Sequence, residues 1–580
     1  MGERRYGSDL VVDLLEAYGI RYASLNPGSS FRGLHDSLVN HPGAPPRIVL
    51  CPHEKVAVGV AHGYAKASGR PMVVILHDLV GLLHGAMGIY YAYIDRVPIL
   101  VLGGAGPMDL TRRRPNIDWI HSANVQGNAV RDFTKWDDQP ASIASIPETI
   151  VRAMRVATAE PAGPVYVALD AALQEDELPE EVPLPDLSRL ATPTPIGPDP
   201  AALDRLARML AGAERPVMIP GYAGRDPRAF GLLVELAELL AIGVMDTGIR
   251  LNFPNRHPLN VTGSDALEEA DLVFFVDVKD MGKPTQRLDS AARRVRSRIP
   301  GDARVVSLGF NEIGISAWSH DFAQLHPADL QVTADTSVAL PLLLERCRAL
   351  VAEEGPERAE ARRARRARLE ELHDEVWGRW RREADAAADA APVSTARLAA
   401  EAWEAIRGYD WVLTAGTASD WALRTWDFDR PYRHPGRSLG TATQIGISLG
   451  VALAHRDEGR LVVDLQPDGD LMFDLGALWV AAAHGIPMLV VMFNNRAYYN
   501  DWEHQERMAA QRGTPMENAR VGMELDHPPP DFAAVARALG WYAEGPIDRP
   551  EGLGEAIRRA AQVVAEARRP ALVDVVTKPR

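Results

Sequence analysis

The chain has 580 residues, 46% of them hydrophobic, which is enough for about three or four domains that each bury a core. A formal net charge of −15 argues against a nucleic-acid-binding protein. No segment approaches the roughly 20 apolar residues of a membrane helix, and the charged start of the chain is unlike a signal peptide. The two cysteines, Cys51 and Cys347, cannot form a disulfide framework or a zinc set. We expect a cytoplasmic protein that binds neither nucleic acid nor membrane.

Residues 1–180 predict an α/β domain. Short apolar runs, including Pro71–Leu76, Pro98–Leu102 and Pro164–Leu169, alternate with helical segments, as buried parallel strands do. A segment rich in proline and acidic residues follows and predicts an extended linker.

The rest of the chain repeats this alternation twice. A middle α/β domain is predicted over residues 195–347, and a third over residues 393–580. Between them, residues 348–392 are rich in Arg, Glu and Ala, with opposite charges three or four residues apart, which is typical of a solvated helical connector. The predicted fold class is therefore α/β, with three doubly wound parallel-sheet domains.

Two polar positions in the third domain follow neighbouring predicted strands. Asp468 comes directly after the run Leu461–Leu465, and Asn495 lies 27 positions further on, after Met488–Phe493. A strand–turn–helix–strand unit of this length places both strand ends at one edge of a parallel sheet, where such folds bind ligands. A carboxylate and an amide oxygen at that edge suit Mg²⁺, and the helix beginning near Gly469 can bind phosphate.

This spacing of Asp-Gly and Asn-Asn resembles the diphosphate and metal motif of thiamine-diphosphate (ThDP) enzymes. The resemblance implies that Asp468, Asn495 and the Ala497 carbonyl bind Mg²⁺. It also implies that Gly469, Asp470 and Tyr498 belong to the cofactor site. The chain departs from the family pattern at Pro467, where glycine is usual, and at Asp470, where a small neutral residue is usual. The Asp470 carboxylate must therefore point away from the diphosphate or be paired.

Further motifs match the same family. Glu54, between a predicted strand and a predicted helix, resembles the glutamate that contacts the aminopyrimidine ring and activates the cofactor. Ile445 resembles the apolar residue that supports the bent cofactor, and Thr417 resembles a cofactor contact. For Ile445 and Thr417 the alternative is core packing, and for Glu54 it is a helix-dipole contact.

Two motifs near the N-terminus resemble benzoylformate decarboxylase. Ser29, in an Asn-Pro-Gly-Ser turn, is implied to bind a substrate carboxylate, and His77 is implied to transfer protons. A plain turn serine and a strand-end histidine are the alternatives. The middle domain has no histidine at residues 276–281, where that enzyme has its second one. Acetolactate synthases are also similar, but their glutamine is not evident at residues 121–123. The middle domain lacks a convincing dinucleotide fingerprint, so FAD is not predicted.

Asp501 and Glu503, in an aromatic and polar segment after Asn495, are candidate acid–base groups, with a solvated helix as the alternative. The predicted function is a ThDP- and Mg²⁺-dependent 2-oxo acid decarboxylase or carboligase. Alternatives are a lyase acting on 2-hydroxyacyl-CoA or a cyclic diketone, an acetolactate synthase, and a non-catalytic subunit. The family resemblance implies a homodimer or homotetramer with active sites between chains.

Overall fold

The computed structural model describes residues 5–115, 117–178, 181–289, 294–314, 325–416, 418–437 and 441–578. Three parallel β-sheets flanked by helices follow one another along the chain, which confirms the predicted α/β class. Within these ranges, no helix is both long enough and apolar enough to cross a membrane.

The N-terminal sheet has six parallel strands in the order β2-β1-β3-β4-β6-β5. Its strands are β1 Tyr22–Leu25, β2 Arg47–Leu50, β3 Met72–Leu76, β4 Ile99–Ala105, β5 Asp137–Asp138 and β6 Val165–Asp170. Its helices are α1 Gly7–Ala17, α2 Arg32–Asn40, α3 Glu54–Ser68, α4 Asp78–Ile94, α5 Asp118–His121, α6 Ile146–Thr158 and α7 Ala171–Glu175. The strand order reverses between β1 and β3, and open α/β sheets bind ligands at such a switch point.

The middle sheet has five parallel strands in the order β13-β12-β9-β7-β8, beside a separate hairpin of β10 and β11. The strands are β7 Pro216–Pro220, β8 Gly243–Val244, β9 Leu272–Val276, β10 Gln286–Asp289, β11 Arg294–Ser297, β12 Arg304–Gly309 and β13 Leu330–Thr333. The helices are α8 Pro200–Ala211, α9 Pro227–Leu240, α10 Gly282–Thr285 and α11 Thr336–Ala352.

Buried ion pairs fill the switch point of the middle sheet, between β7 and β9. The Arg225 guanidinium contacts Asp277 at 2.6 Å, Asp335 at 2.8 Å and Glu160 of the N-terminal domain at 2.8 Å. Arg96, also from the N-terminal domain, contacts Asp277 at 2.6 Å. The crevice that holds a dinucleotide in many such folds is therefore occupied by side chains that join two domains.

A long helix and the C-terminal sheet complete the chain. The helix, α12 Pro356–Ala386, lies in the predicted charged connector. The C-terminal sheet has the order β14-β15-β16-β18-β17, with β14 Trp411–Thr414, β15 Leu461–Pro467, β16 Leu489–Phe493, β17 Tyr542–Ile547 and β18 Ala571–Val575. Its helices are α13 Thr395–Ile406, α14 Ser419–Thr425, α15 Gln444–His455, α16 Asp468–Met472, α17 Ala477–His484, α18 Tyr499–Arg512, α19 Phe532–Ala538 and α20 Leu553–Ala567.

Helices α3 and α15 join the first and third domains through glycines. A Cβ atom on Gly63 would lie 1.9 Å from the Ile447 carbonyl oxygen, and one on Gly450 would lie 2.1 Å from the Val60 carbonyl oxygen. Glycine alone allows backbones to approach this closely. The two helices share one hydrophobic core, so the N-terminal and C-terminal domains of a chain are packed against each other without a gap.

We expect Gly63→Ala to lower stability by about 3 kcal/mol, because the new methyl group meets backbone that cannot rotate away. Thermal unfolding followed by circular dichroism would measure this. Gly231→Ala is the matched control, since Gly231 also lies inside a helix but has no atom within 4 Å of the added Cβ. The control should be neutral or gain roughly 0.5 to 1 kcal/mol, because alanine favours helix over glycine. Equal melting temperatures for the two variants would contradict the close packing.

Candidate active site

The ends of β15 and β16 place Asp468 and Asn495 together at one edge of the C-terminal sheet. The two strands are parallel neighbours, with Pro467 opposite Phe493. Asp468 directly follows β15, and Asn495 is the second residue after β16. The convergence predicted from the 27-residue spacing is therefore present in the fold.

The side-chain oxygens of Asp468 and Asn495 meet at one backbone amide. The Ala497 N–H donates to Asp468 Oδ2 at 3.2 Å and to Asn495 Oδ1 at 3.0 Å. Asp468 is buried, and burial raises its pKa to about 6. One carboxylate oxygen and one amide oxygen directed to the same place fit the all-oxygen shell of Mg²⁺.

A cavity of about 270 Å³ opens beside this pair. Gly469 lines it in the first turn of α16, where its N–H donates to Asp468 Oδ1 at 2.8 Å, and helix starts are places where phosphate binds. A Cβ on Gly469 would lie 2.8 Å from the Tyr498 ring, so the ring is packed onto the glycine. Tyr498, Asp501 and Glu503 also line the cavity, so the start of α18 forms one of its walls.

The Asp470 carboxylate is paired, which answers the difficulty raised by its position in the motif. It accepts hydrogen bonds from the Ala442 N–H, from the Gln444 N–H at 3.3 Å and from Gln466 Nε2 at 3.2 Å. The charge is thus directed to the start of α15, while Asp470 itself still lines the cavity.

Gln444 connects that helix start to the sheet, and the sequence did not single it out. Its amide accepts from the Gly416 N–H at 2.9 Å and donates to Asp464 Oδ1 at 2.6 Å. Asp464 is fully buried, and burial raises its pKa to about 7. In the sequence, Asp464 and Gln444 are polar residues within an otherwise apolar strand and helix, and this pattern could have indicated the network.

Two other predicted cofactor contacts have different outcomes. Ile445 lies in the first turn of α15, is fully buried in the core shared by the N-terminal and C-terminal domains, and does not line the cavity. Its supporting role stays a prediction. Thr417 lies outside the described residues.

The N-terminal domain carries a second group of predicted residues. Glu54 is the first residue of α3 and is buried, with Oε2 3.3 Å from His84 Nδ1 on α4. A Cβ on Gly81 would lie 3.2 Å from Glu54 Oε1 and 3.3 Å from His77 Cβ. Glu54 and His77 are therefore neighbours on either side of Gly81, and the His84 ring completes this group.

Ser29 and His77 lie at the switch point between β1 and β3. His77 directly follows β3, and its Nδ1 is 2.9 Å from Ser30 Oγ. Arg114 donates to Ser29 Oγ at 3.3 Å and forms an ion pair with Asp118 at 2.8 Å. Burial, the neighbouring His121 and Arg114 lower the pKa of His77, although Glu54 opposes this.

The two groups do not share one cavity within the described part of a single chain. Every residue lining the cavity beside Asp468 lies between residues 416 and 503. Glu54, His77 and Ser29 contact only residues of the N-terminal domain in the interactions given above. Each chain thus presents two separate groups of candidate functional residues.

Models of one protein family match both the N-terminal and the C-terminal part of the chain. Residues 5–128 match the family model "Thiamine pyrophosphate enzyme, N-terminal TPP binding domain", and residues 414–575 match the corresponding C-terminal TPP binding domain. The chain is 26% identical to the benzoylformate decarboxylase of Pseudomonas aeruginosa, with 98% of each chain covered. It is also 26% identical to a probable acetolactate synthase 2 of Oryza sativa, over 99% of this chain and 83% of the relative.

Solved structures show the same fold over the whole length. The ThDP-dependent 4-hydroxybenzoylformate decarboxylase of Rhodococcus jostii superposes with a TM-score of 0.75 at 21% identity, covering 99% of this chain and 100% of the other. The benzoylformate decarboxylase of Polynucleobacter necessarius gives 0.75 at 18% identity, covering 99% of each. With matching N-terminal and C-terminal domains and this fold, the chain belongs to the thiamine-diphosphate-dependent enzymes, in the decarboxylase and acetolactate synthase group.

Proposed function

We propose that this protein is a ThDP- and Mg²⁺-dependent 2-oxo acid decarboxylase or carboligase. The observation that carries the proposal is the grouping of a hydroxyl, a guanidinium and an imidazole, from Ser29, Arg114 and His77, next to buried Glu54. The first two can bind a carboxylate, and the third can accept or donate a proton near pH 7. The similarity to benzoylformate decarboxylase over 98% of both chains supports this choice.

The C-terminal residues would hold the cofactor. Asp468, Asn495 and the Ala497 carbonyl provide oxygen ligands for Mg²⁺, and the amides at the start of α16 provide donors for the diphosphate. ThDP, when bound, supplies the nucleophilic carbon that attacks a carbonyl and accepts its electrons when CO₂ leaves. Glu54 would hold the aminopyrimidine ring by a hydrogen bond, for which its burial is favourable because water does not compete.

The remaining residues would act on the substrate. Ser29 and Arg114 would orient its carboxylate, and His77 would move a proton at the carbon that loses CO₂. Asp501 and Glu503 line the other side of the proposed site and are further acid–base candidates.

A second copy of the chain would bring the two groups together. Helix α4, whose His84 contacts Glu54, leaves Leu83 56% exposed and Met87 45% exposed, so it presents apolar side chains to the solvent. A C-terminal domain from another copy would bury this face and cover Glu54 with its cavity. The assembly would be a homodimer or a homotetramer with active sites between chains.

The 2-hydroxyacyl-CoA lyase alternative finds less support. A basic nucleotide-binding surface would favour it, and the possible sources in the sequence are Arg112–Arg114 and Arg293–Arg298. Of these, Arg112 contacts Asp176 and Arg113 contacts the Pro107 carbonyl within the chain, so both side chains are already engaged.

Two variants should distinguish the residue needed for cofactor binding from the residue needed for turnover. Asp468→Ala should abolish binding of Mg²⁺-ThDP, because it removes the charged ligand. Glu54→Gln should keep binding but reduce turnover by about 100-fold or more, because a proton-transfer step is lost. Isothermal titration calorimetry measures the first effect. CO₂ release from benzoylformate, 4-hydroxybenzoylformate, pyruvate and branched 2-oxo acids measures the second.

The exposed Asp302→Ala and Glu148→Gln variants are controls for each type of substitution and should behave as wild type. Cofactor binding without CO₂ from any acid in the panel would contradict the decarboxylase proposal. Unchanged binding in Asp468→Ala would contradict the cofactor site.

Mixed assemblies test whether the active site lies between chains. Glu54→Gln and Asp468→Ala chains should each be inactive alone, but co-expressed they should regain about a quarter of wild-type activity if dimers form at random. The reason is that half of the dimers are mixed, and each mixed dimer has one intact site. Tandem affinity tags would first show that the assemblies are mixed. If the activity of these mixed assemblies is no greater than the sum of the two single variants, both residues belong to a site within one chain instead.

A further inference from the structure

A residue with unusual backbone geometry lies between two residues of the cavity beside Asp468. Ala442 has a φ of +66°, in the left-handed region that alanine seldom adopts, and it is buried. Thr441, directly before it, and Gln444, the first residue of α15, both line the cavity. The conformation of Ala442 therefore determines how this segment meets the cavity.

The Asp470 carboxylate accepts hydrogen bonds from both ends of this short turn. Its Oδ1 accepts from the Ala442 N–H, and its Oδ2 accepts from the Gln444 N–H at 3.3 Å. The Gln444 amide belongs to the first turn of α15, where amides have no acceptor within the helix. A carboxylate at a helix start is also favoured by the positive end of the helix dipole. Asp470 thus caps α15 and stabilises the strained residue before it.

The sheet in turn holds the carboxylate in place. Gln466, a fully buried residue of β15, donates from Nε2 to Asp470 Oδ2 at 3.2 Å. Asp470 lies in α16, which begins with Asp468 directly after β15. One strand end therefore carries both the proposed metal ligand and the acceptor that orders the segment before α15.

We propose that Asp470 is a positioning residue for the cofactor. It holds Ala442 in the left-handed conformation and fixes the start of α15, so that Thr441 and Gln444 form an ordered wall for the bound ThDP. The proposal rests on the proposed function in naming ThDP as the occupant. A carboxylate beside a diphosphate is repulsive by itself, but an ordered wall lowers the entropy that binding must cost, and this gain exceeds the repulsion.

Two substitutions distinguish this role from simple repulsion of the diphosphate. Asp470→Ala removes the acceptor and should weaken Mg²⁺-ThDP binding about tenfold, because the turn is no longer held. Asp470→Asn removes the charge but keeps an oxygen for the Ala442 N–H, so its affinity should stay within about threefold of wild type. If Asp470 only repelled the diphosphate, both variants would bind more tightly. Isothermal titration calorimetry of the full-length chain measures these affinities.

A second substitution should rescue the first if Asp470 acts through Ala442. Glycine adopts a positive φ without steric cost, so adding Ala442→Gly to Asp470→Ala should restore the affinity to within about threefold of wild type. Ala241→Gly is the matched control. Ala241 is also left-handed, with a φ of +50°, but it ends α9 in the middle domain, so its replacement should not rescue binding. Rescue by both glycine variants, or by neither, would overturn the role of Ala442.

Hydrogen exchange in the cofactor-free chain gives a readout that does not depend on ThDP. Peptides covering residues 441–444 should exchange about tenfold faster in Asp470→Ala than in wild type, as measured by mass spectrometry. Asp199→Ala removes the carboxylate cap of α8 and should leave exchange in these peptides unchanged.

The outcomes separate this role from the proposed function. Unchanged exchange in Asp470→Ala, or cofactor affinity equal to or above that of wild type, would overturn the role of Asp470 alone. Absence of ThDP binding to the wild-type chain, with exchange altered as expected, would instead overturn the proposed function, and with it ThDP as the occupant of the ordered wall.

Discussion

The close packing of α3 on α15 is the constraint on which the arrangement of this molecule depends. Glycines on both helices allow backbone to touch backbone, and the shared core leaves no room for sliding. Helix α3 begins with Glu54, and α15 begins with Gln444, which is bonded to the network under the C-terminal cavity. One helix contact therefore determines where both groups of functional residues lie relative to each other.

Burial of carboxylates is the second organising feature. Burial raises the pKa of Asp464, Asp468 and Asp470 alike. Each is partly compensated by N–H donors, from Gln444 for Asp464 and from backbone amides for the other two. Such groups are costly unless their charge is balanced. The proposed Mg²⁺ would provide that balance at Asp468.

Local spacing predicted the parts of this structure that depend on a single supersecondary unit. Asp468 and Asn495 could be brought together from sequence because one strand–helix–strand unit connects them, and parallel neighbours share an edge. Glu54 at a helix start and His77 at a strand end were likewise readable from the elements that carry them. The alternation of apolar runs predicted the α/β class for the same reason.

Contacts between distant segments could not be read in this way. Asp470 finds its donors at Ala442 and Gln444, 28 and 26 residues earlier in the chain, and no periodicity relates these positions. Arg114 donates a hydrogen bond to Ser29, 85 residues earlier in the chain. Arg225 forms ion pairs with Glu160 of the N-terminal domain and Asp277 of the middle domain. The burial of Ile445 likewise depends on the packing of two domains, and the cofactor contact that its local motif indicates stays a prediction.

Under the proposed function, the chemistry of the two groups makes them complementary. The C-terminal group is rich in buried carboxylate and oxygen ligands and suits a metal and a diphosphate. The N-terminal group combines one carboxylate with imidazoles, a hydroxyl and a guanidinium, which suit proton transfer and carboxylate binding. A cofactor with a diphosphate at one end and a basic ring at the other needs both.

Within a chain, the rigid α3–α15 contact prevents a hinge motion from closing one group onto the other. Opening that contact would separate glycine-packed backbones and expose a core common to two domains, which is unfavourable. A second copy avoids this cost, because its C-terminal domain can approach the exposed apolar face of α4 from outside. The same close packing therefore supports the proposed assembly between chains.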